Sequence, residues 1–328
     1  MSQLLEQLFR RRAIWVTGKG GVGKSSVSAA LALLSAERGL RTLLIDVEAR
    51  GDAASFLDAV PPRYEAREAR PNLFHLALHP EEVLDEYLQI ALKIPRIRRL
   101  GPIRKIFDFI ATGAPGVKEV LISGKVGFEE RAEQGGRPRW DVIVVDAAPS
   151  GQVLSHLRGP KTIQEMVGVG MIRNQTAWVR EILEDPEKTG VVVVSLPEEM
   201  PVTETSELLQ NIPKEVNTPV LAIVANRVVS GPRDPEALHA IAKSRAALGE
   251  AAAAIDAAVL SAGLADEQHE HLERLKNLGP PTAEVPLIAW ENHDLAATKQ
   301  LAEALEKSSS HLSEAETPTP EPSGGANE

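Results

Sequence analysis

Residues 13–26 read Ala-Ile-Trp-Val-Thr-Gly-Lys-Gly-Gly-Val-Gly-Lys-Ser-Ser. Ala13 to Thr17 is a short apolar run of the kind that makes a buried strand. From Ser26 onward, Val27, Ala29, Ala30, Leu31, Leu33 and Leu34 make a helix-forming, apolar-rich stretch. Between the two, Gly18 to Ser25 satisfies G-x-x-x-x-G-K-[ST], a pattern that carries meaning only between a strand and a helix. Gly18, Gly20, Gly21 and Gly23, with Val22 among them, let the backbone bend around a phosphate chain with its N–H groups inward. The helix that starts around Ser25 and Ser26 already favours an anion at its N-terminus. Lys24 is placed to reach the β- and γ-phosphates of a nucleotide such as ATP, and the Ser25 hydroxyl to bind Mg²⁺. The competing interpretation is a Gly-rich turn that holds no ligand, and the complete pattern in its proper context weighs against it.

Composition narrows the class. At 328 residues the chain exceeds a typical single domain but suits one large α/β fold. Hydrophobic content of 43% supplies enough apolar material for one core. A formal net charge of −10 argues against a nucleic-acid surface as the main business, although a local basic patch is compatible with it. There is no cysteine, which removes disulfides, thiolate metal sites and thiol nucleophiles together. No apolar run approaches the ~20 residues that cross a bilayer, so no stable membrane insertion is expected. The segment before Ala13 contains Glu6 and ends in Arg10-Arg11-Arg12, the wrong order for a secretory signal, and a cytoplasmic location is the expectation.

Leu4, Leu5, Leu8 and Phe9 suit a short helix that caps the core, in preference to a membrane anchor. The helix after the phosphate loop should run to about Arg38, with Gly39 as its stop. Arg41 to Asp46 is the next buried strand, and strand, helix and strand in succession make a βαβ unit with parallel strands. Residues 73–78 read as a further strand. From Glu81 to about Arg131 the apolar spacing turns helical, with breaks expected at Pro95 and Gly101-Pro102 and a basic cluster of Lys93, Arg96, Arg98, Arg99, Arg104 and Lys105. Strands are expected at Trp140–Asp146, Val191–Leu196 and Val220–Asn226, helices between residues 235 and 278 with a break near Gly263, and a last short element at Val285-Pro286-Leu287. The alternation predicts a doubly wound, mostly parallel α/β sheet of the P-loop NTPase kind, with ligands beyond the carboxyl ends of the strands. One domain covers 1–307, with a helical subdomain of about 80–135 inserted between the switch I segment after the second strand (Asp46 to Asp52) and the switch II segment that begins at Asp146. The Ser-, Glu-, Thr-, Pro- and Gly-rich stretch 308–328 reads as a disordered tail.

Phosphoryl transfer to water needs a phosphate cradle, a metal and a group that orients the water. Asp146 closes the most apolar strand and precedes Ala147-Ala148-Pro149-Ser150-Gly151, which suits a carboxylate that holds Mg²⁺ through water. A plain helix cap is the alternative.

Lys19 adds a second lysine to the loop, Gly-Lys-Gly-Gly-Val-Gly-Lys-Ser. This resembles the deviant Walker A motif of dimeric ATPases, which include the arsenite-pump and tail-anchored-protein targeting ATPases and the ParA and MinD partition proteins. The resemblance implies that Lys19 crosses a dimer interface to the other subunit's nucleotide; otherwise it is a solvated loop charge. In that class the water-positioning aspartate follows the second strand, where this chain carries Glu48 in Asp46-Val47-Glu48-Ala49-Arg50-Gly51-Asp52. Glutamate is one methylene longer, and a misplacement of ~1 Å can cost ~100-fold in rate, so hydrolysis is expected to be slow. Asp46 is the fallback carboxylate and more naturally supports the strand end.

Further stretches are similar to the ArsA/GET-type anion-transporting ATPase family. Ala148-Pro149-Ser150-Gly151-Gln152 looks like its A-P-T-G-H, with Gln152 for histidine. Pro115-Gly116-Val117-Lys118-Glu119, Pro197-Glu198-Glu199 with Val202-Thr203-Glu204-Thr205, and Asn226-Arg227 follow in the family's order. The resemblance implies that Asn226 reads adenine and that Pro286 lies in the loop packed on the base. The bacterial stand-alone forms, some with paired paralogues, are the nearest in kind. One phosphate loop per chain then implies a homodimer or a heterodimer with a paralogue, and a nucleotide-gated but unknown protein client on the helical subdomain. Leu88, Ile94, Ile97, Ile103 and Phe107 are candidates for that surface, or are core. The family's thiolate sites and its C-x-x-C zinc pair are absent, and His269 and His271 read as solvated surface rather than metal ligands. Two other interpretations stand beside the dimeric Mg²⁺-ATPase. One is a ParA- or MinD-like positioning protein that binds DNA or membrane; the acidic balance and the polar tail weigh against it. The other is a weakly active subunit that needs a paralogue, motivated by Glu48 and Gln152.

Overall fold

Leu4, Leu5 and Leu8 bury one side of a short N-terminal helix, α1 (Gln3–Phe9), before the chain enters β1 (Ala13–Gly18). The computed structural model describes residues 3–48, 52–92, 117–166, 171–232, 235–243 and 252–310. After β1 come α2 (Lys24–Glu37), β2 (Thr42–Asp46), α3 (Asp52–Ser55), β3 (Arg67–Arg70), β4 (Leu73–Ala77), α4 (Pro80–Leu92) and α5 (Val117–Arg131). A small hairpin, β5 (Glu133–Gln134) and β6 (Arg137–Pro138), leads to β7 (Val142–Asp146), α6 (Ser150–Met166) and α7 (Met171–Glu184). The chain continues through β8 (Thr189–Ser195), α8 (Glu199–Glu215), β9 (Val220–Val228), α9 (Pro235–Lys243), α10 (Ala252–Lys276), β10 (Thr282–Pro286) and α11 (Leu295–Ser310).

Eight strands pair in the order β10-β9-β8-β1-β7-β2-β4-β3, parallel except for β3, which runs antiparallel to β4 at one edge. β1 lies between β7 and β8, so the phosphate loop emerges in the middle of the sheet. Side chains alternate between two buried faces. Ile14, Val16, Leu44, Val144 and Val194 meet α1, α2 and α11 on one side. Trp15, Leu43, Ile45, Val145 and Val193 meet α5 to α8 on the other. Burial of both faces is why these strands read as continuous apolar runs rather than alternating ones. The helix α2 is buried almost all round, consistent with its run of Ala, Leu and Ser.

On the second face the roots of α4 and α5 are tied by charge. Lys125, 6% exposed, pairs with Glu86 Oε2 at 2.8 Å and Glu129 Oε1 at 3.0 Å, while Trp140 Nε1 donates to Glu129 Oε2 at 2.8 Å. Buried charges of this kind are tolerated because each finds partners.

Several boundaries differ from the sequence expectations. α10 runs unbroken through Gly263, because a single helix-interior glycine costs only about 1 kcal/mol and does not force a stop. The last helix reaches Ser310, past the residue at which the polar tail was expected to begin. The edge strand β3, Arg-Glu-Ala-Arg, carries no apolar alternation and has no sequence signal of strand. α1 packs its leucines into the core, as a cap does. Residues 93–116 and 311–328 lie outside the described residues. With them go the basic cluster, the breaks at Pro95 and Gly101-Pro102, Ile94, Ile97, Ile103, Phe107, and most of the polar tail; the side chain of Leu88 is likewise not described.

His75 on β4 is 2% exposed and neither ring nitrogen has a hydrogen-bond partner in the structure. Burial lowers its pKa to about 4, so the folded protein holds it neutral. Its contribution to stability is present above the ordinary histidine pKa of about 6.5 and is lost as the pH falls from there toward 4, by up to about 1.4 kcal/mol per pH unit. Thermal melts across this range should show a smaller acid-induced fall in Tm for His75→Leu than for the wild type; equal falls would refute the assignment.

Candidate nucleotide site

The loop after β1 is shaped by two glycines whose neighbours leave no room for a side chain. Gly18 has φ +150°, and a Cβ there would stand 2.0 Å from the Val194 carbonyl oxygen on β8. Gly23, the left-handed N-cap of α2 at φ +95°, would place a Cβ 2.4 Å from Asn226 Nδ2. Asn226 ends the buried part of β9, and its Nδ2 donates to the Val22 carbonyl at 2.9 Å. The same carboxamide accepts from the Arg227 amide at 3.0 Å, where the chain turns with φ +56°. The residue expected to read a base thus first clamps the loop from β9, two strands away from β1. Val22 itself is buried beneath the loop.

Asp46 and Asp146 are register partners on the adjacent parallel strands β2 and β7, so their carboxyl groups meet at the same end of the sheet. Both are buried. Asp146 Oδ1 accepts from Ser28 Oγ at 3.0 Å. Burial, aided by the nearby Asp46 carboxylate, pushes the Asp146 pKa up to about 7, against the opposing hydrogen bonds from Ser25 and Ser28 and the Lys24 charge. Asp46 Oδ1 also accepts the Glu48 amide at 3.1 Å, the supporting role expected at a strand end. Thr17 Oγ1 on β1 donates to the Ala148 carbonyl at 2.9 Å and fixes the segment after Asp146.

A single cavity of about 870 Å³ gathers these groups. Gly20, Gly21, Gly23, Lys24, Ser25 and Ser26 line it from the loop, with Asp46, Glu48 and Asp146 beside them and Asn226 and Pro286 farther along. Phe56, Ile288, Trp290 and His293 add apolar and aromatic lining. Gly18 and Val22 support the loop from below. Lys24 Nζ donates to the Lys19 carbonyl at 3.2 Å. Lys19 is not among the lining residues: its ammonium lies 2.9 Å from Glu204 Oε1 on α8, and Ser150 Oγ donates to Glu204 Oε2 at 3.3 Å. Gln152 sits exposed on the first turn of α6. His269 and His271 lie on α10, away from the cavity, His271 Nδ1 being 3.4 Å from Arg274 Nη1.

Sequence reasoning missed several of these groups. Ser28 was detectable as the serine about one turn beyond Ser25 on α2. Phe56, Trp290 and His293 had no such signal, since nothing local marks chain positions far apart as one wall.

No described helix is long and apolar enough to cross a membrane. The family described as anion-transporting ATPase matches residues 11–178 and 169–248. ATPase BagA of Mycobacterium tuberculosis is 30% identical over 321 residues, covering 88% of this chain and 91% of that protein. ATPase GET3B of Arabidopsis thaliana is 26% identical over 271 residues, covering 67% and 65%, and an arsenical pump-driving ATPase of Escherichia coli is 26% identical over 203 residues, covering 56% and 33%. The match from residue 11 to residue 248 embraces the loop, both strand-end aspartates and Asn226, and the chain belongs to the anion-transporting ATPase family.

Proposed function

We propose that this chain is a Mg²⁺-dependent ATPase that hydrolyses ATP to ADP and phosphate while paired with a second subunit, a copy of itself or a paralogue, and that its nucleotide state governs the binding of a client protein. The observation that carries this is the cavity lined jointly by a phosphate loop, two buried aspartates and Glu48 and by apolar and aromatic groups. A nucleoside triphosphate has the same combination of charge and ring.

The loop amides and the Lys24 ammonium hold the β- and γ-phosphates and balance the charge that develops on transfer. The oxygen donors of Ser25 and Asp146 suit a hard divalent cation, and the raised pKa of Asp146 reflects its burial, with the neighbouring Asp46 carboxylate adding to it. Mg²⁺, when bound there, would polarise the phosphate oxygens. Glu48, exposed at the cavity, accepts a hydrogen bond from the attacking water and aligns it with phosphorus.

The position of Lys19 supports action across a subunit boundary. Its side chain leaves its own cavity and pairs with Glu204, and the two side chains are 29% and 33% exposed. An ion pair that exposed is worth roughly 0.2–1 kcal/mol, weak enough to yield to a partner's phosphate. The client site is assigned to the helical region of about 80–135, whose two described helices, α4 and α5, are rooted in the core through Lys125.

Three measurements test this. Phosphate release by Lys24→Ala should fall at least ~100-fold and that by Lys19→Ala at least ~10-fold; wild-type rates in both variants would refute the mechanism. Glu204→Gln should raise the rate up to about fivefold at low salt and have no effect in a Lys19→Ala background, since the pair is worth no more than that; an equal effect in both backgrounds would show that Glu204 does not act through Lys19. Because protonation of Asp146 competes with the cation, the affinity for Mg²⁺ in the nucleotide complex should weaken about tenfold per unit as the pH falls below about 7. Conversely, the Asp146 contribution to the stability of the metal-free protein is lost as the pH rises from about 4 toward 7, opposite in sign to that of His75, because the folded state retains a proton at Asp146 that the unfolded state releases. Asp146→Asn should abolish both trends, and their persistence in that variant would assign them to another group.

A further inference from the structure

β9 outruns its neighbour. β8 pairs with it only as far as Ala225, and Asn226 to Val228 continue past that point. There Gln268 on α10 takes over. Its Oε1 accepts the Val229 amide at 2.7 Å, and its Nε2 donates to the Arg227 carbonyl at 3.3 Å. A carbonyl and an amide two residues apart are the groups that one residue of a parallel strand would bond. Between them, the Val228 carbonyl accepts the Leu287 amide at 2.8 Å.

The segment held in this way contains a left-handed residue. Arg227 has φ +56°, a conformation that a non-glycine residue keeps only where its surroundings fix it. Its amide donates to Asn226 Oδ1 at 3.0 Å, and its carbonyl is held by Gln268. Asn226 Nδ2 in turn donates to the Val22 carbonyl at 2.9 Å. An unbroken series of hydrogen bonds thus runs from α10, through the Arg227 turn, to the phosphate loop. Asn226 and Arg227 line the cavity, whereas none of the described residues of α10 does.

We propose that Gln268 is a positioning residue for the phosphate loop: by fixing the Arg227 turn it keeps the Asn226 carboxamide on Val22, and the loop's affinity for phosphate chains depends on it. This rests on the ATPase reading above and adds to it a dependence on a helix outside the cavity. Loss of the Gln268 bonds frees the Arg227 backbone to leave the left-handed region. That withdraws its amide from Asn226 Oδ1 and lets the carboxamide rotate off the loop. A loop that must be reordered on binding holds its ligand more weakly.

The test measures the affinities of the full chain for ADP and for inorganic pyrophosphate, both with Mg²⁺, by titration calorimetry well below the Tm of each variant. Gln268→Ala should weaken both about fivefold to tenfold, the worth of a pair of neutral hydrogen bonds. Gln268→Glu, which keeps the acceptor for the Val229 amide, should lose less. Asn226→Ala should weaken both at least as much as Gln268→Ala. Adding Gln268→Ala to it should then change them by no more than about twofold, since the two side chains act through one loop. Independent, additive losses would overturn the proposal. So would a Gln268→Ala protein with a lowered Tm and unchanged affinities, in which Gln268 would hold α10 and nothing more. A loss for ADP with pyrophosphate unaffected would overturn it as well, because the effect would not reach the loop. A wild type that binds neither ligand refutes the ATPase reading itself, a result distinct from any of these.

Discussion

Two carboxylates buried side by side at the ends of β2 and β7 are the constraint on which this molecule is built. Asp46 and Asp146 are neighbours because parallel strands in register bring them level, and each is removed from water. Burying two like charges together is unfavourable unless something balances them. The structure answers with hydroxyl hydrogens from Ser25 and Ser28, the Lys24 ammonium and a backbone amide at Glu48, and even so Asp146 is held toward its protonated form. Burial is the larger cause and the Asp46 carboxylate adds to it, an environment that would suit a divalent cation in the proposed reading.

The phosphate loop is adapted to the same place by contacts from β8, which pairs with β1, and from β9 beyond it. Val194 on β8 leaves no room for a side chain at Gly18, and Asn226 on β9 leaves none at Gly23 while holding the Val22 carbonyl. A loop held by three strands has little freedom left to lose on binding, which favours phosphate capture. The Lys19 side chain is the exception. It leaves the cavity for Glu204, and Glu204 also receives Ser150 from the segment after Asp146. The loop, that segment and α8 therefore meet at one weak, partly exposed ion pair, a suitable arrangement for an element that changes partner between nucleotide states.

Membership of the anion-transporting ATPase family agrees with this site but leaves the cargo open. The chain has no cysteine with which to bind a thiophilic anion, so the family's descriptive name should not be carried over as a substrate. What the geometry supports is ATP chemistry, linked through α4 and α5 to a region whose partner is a protein in the proposed reading.

Much of the architecture was legible in the chain itself. A buried parallel sheet requires uninterrupted apolar runs, and Ala13–Thr17, Arg41–Asp46, Val191–Leu196 and Val220–Asn226 are such runs; turn glycines and G-x-x-x-x-G-K-S are local signals that need no tertiary context. The β1–loop–α2 unit, the sheet type and the candidate residues Lys24, Ser25 and Asp146 could be named from them, Glu48 and Asn226 only through the family resemblance, and one cavity receives all of these residues. Only the folded chain decided what depends on contacts between distant residues. β3 is a strand because β4 offers it an edge, and α10 passes Gly263 because one glycine is too small a penalty to end a helix. Asn226 clamps the loop before it can face a base, Lys19 turns to Glu204, and Phe56, Trp290 and His293 form one wall although they are far apart in the chain. Propensity and periodicity act over a few residues, and none of these placements is settled within so short a span.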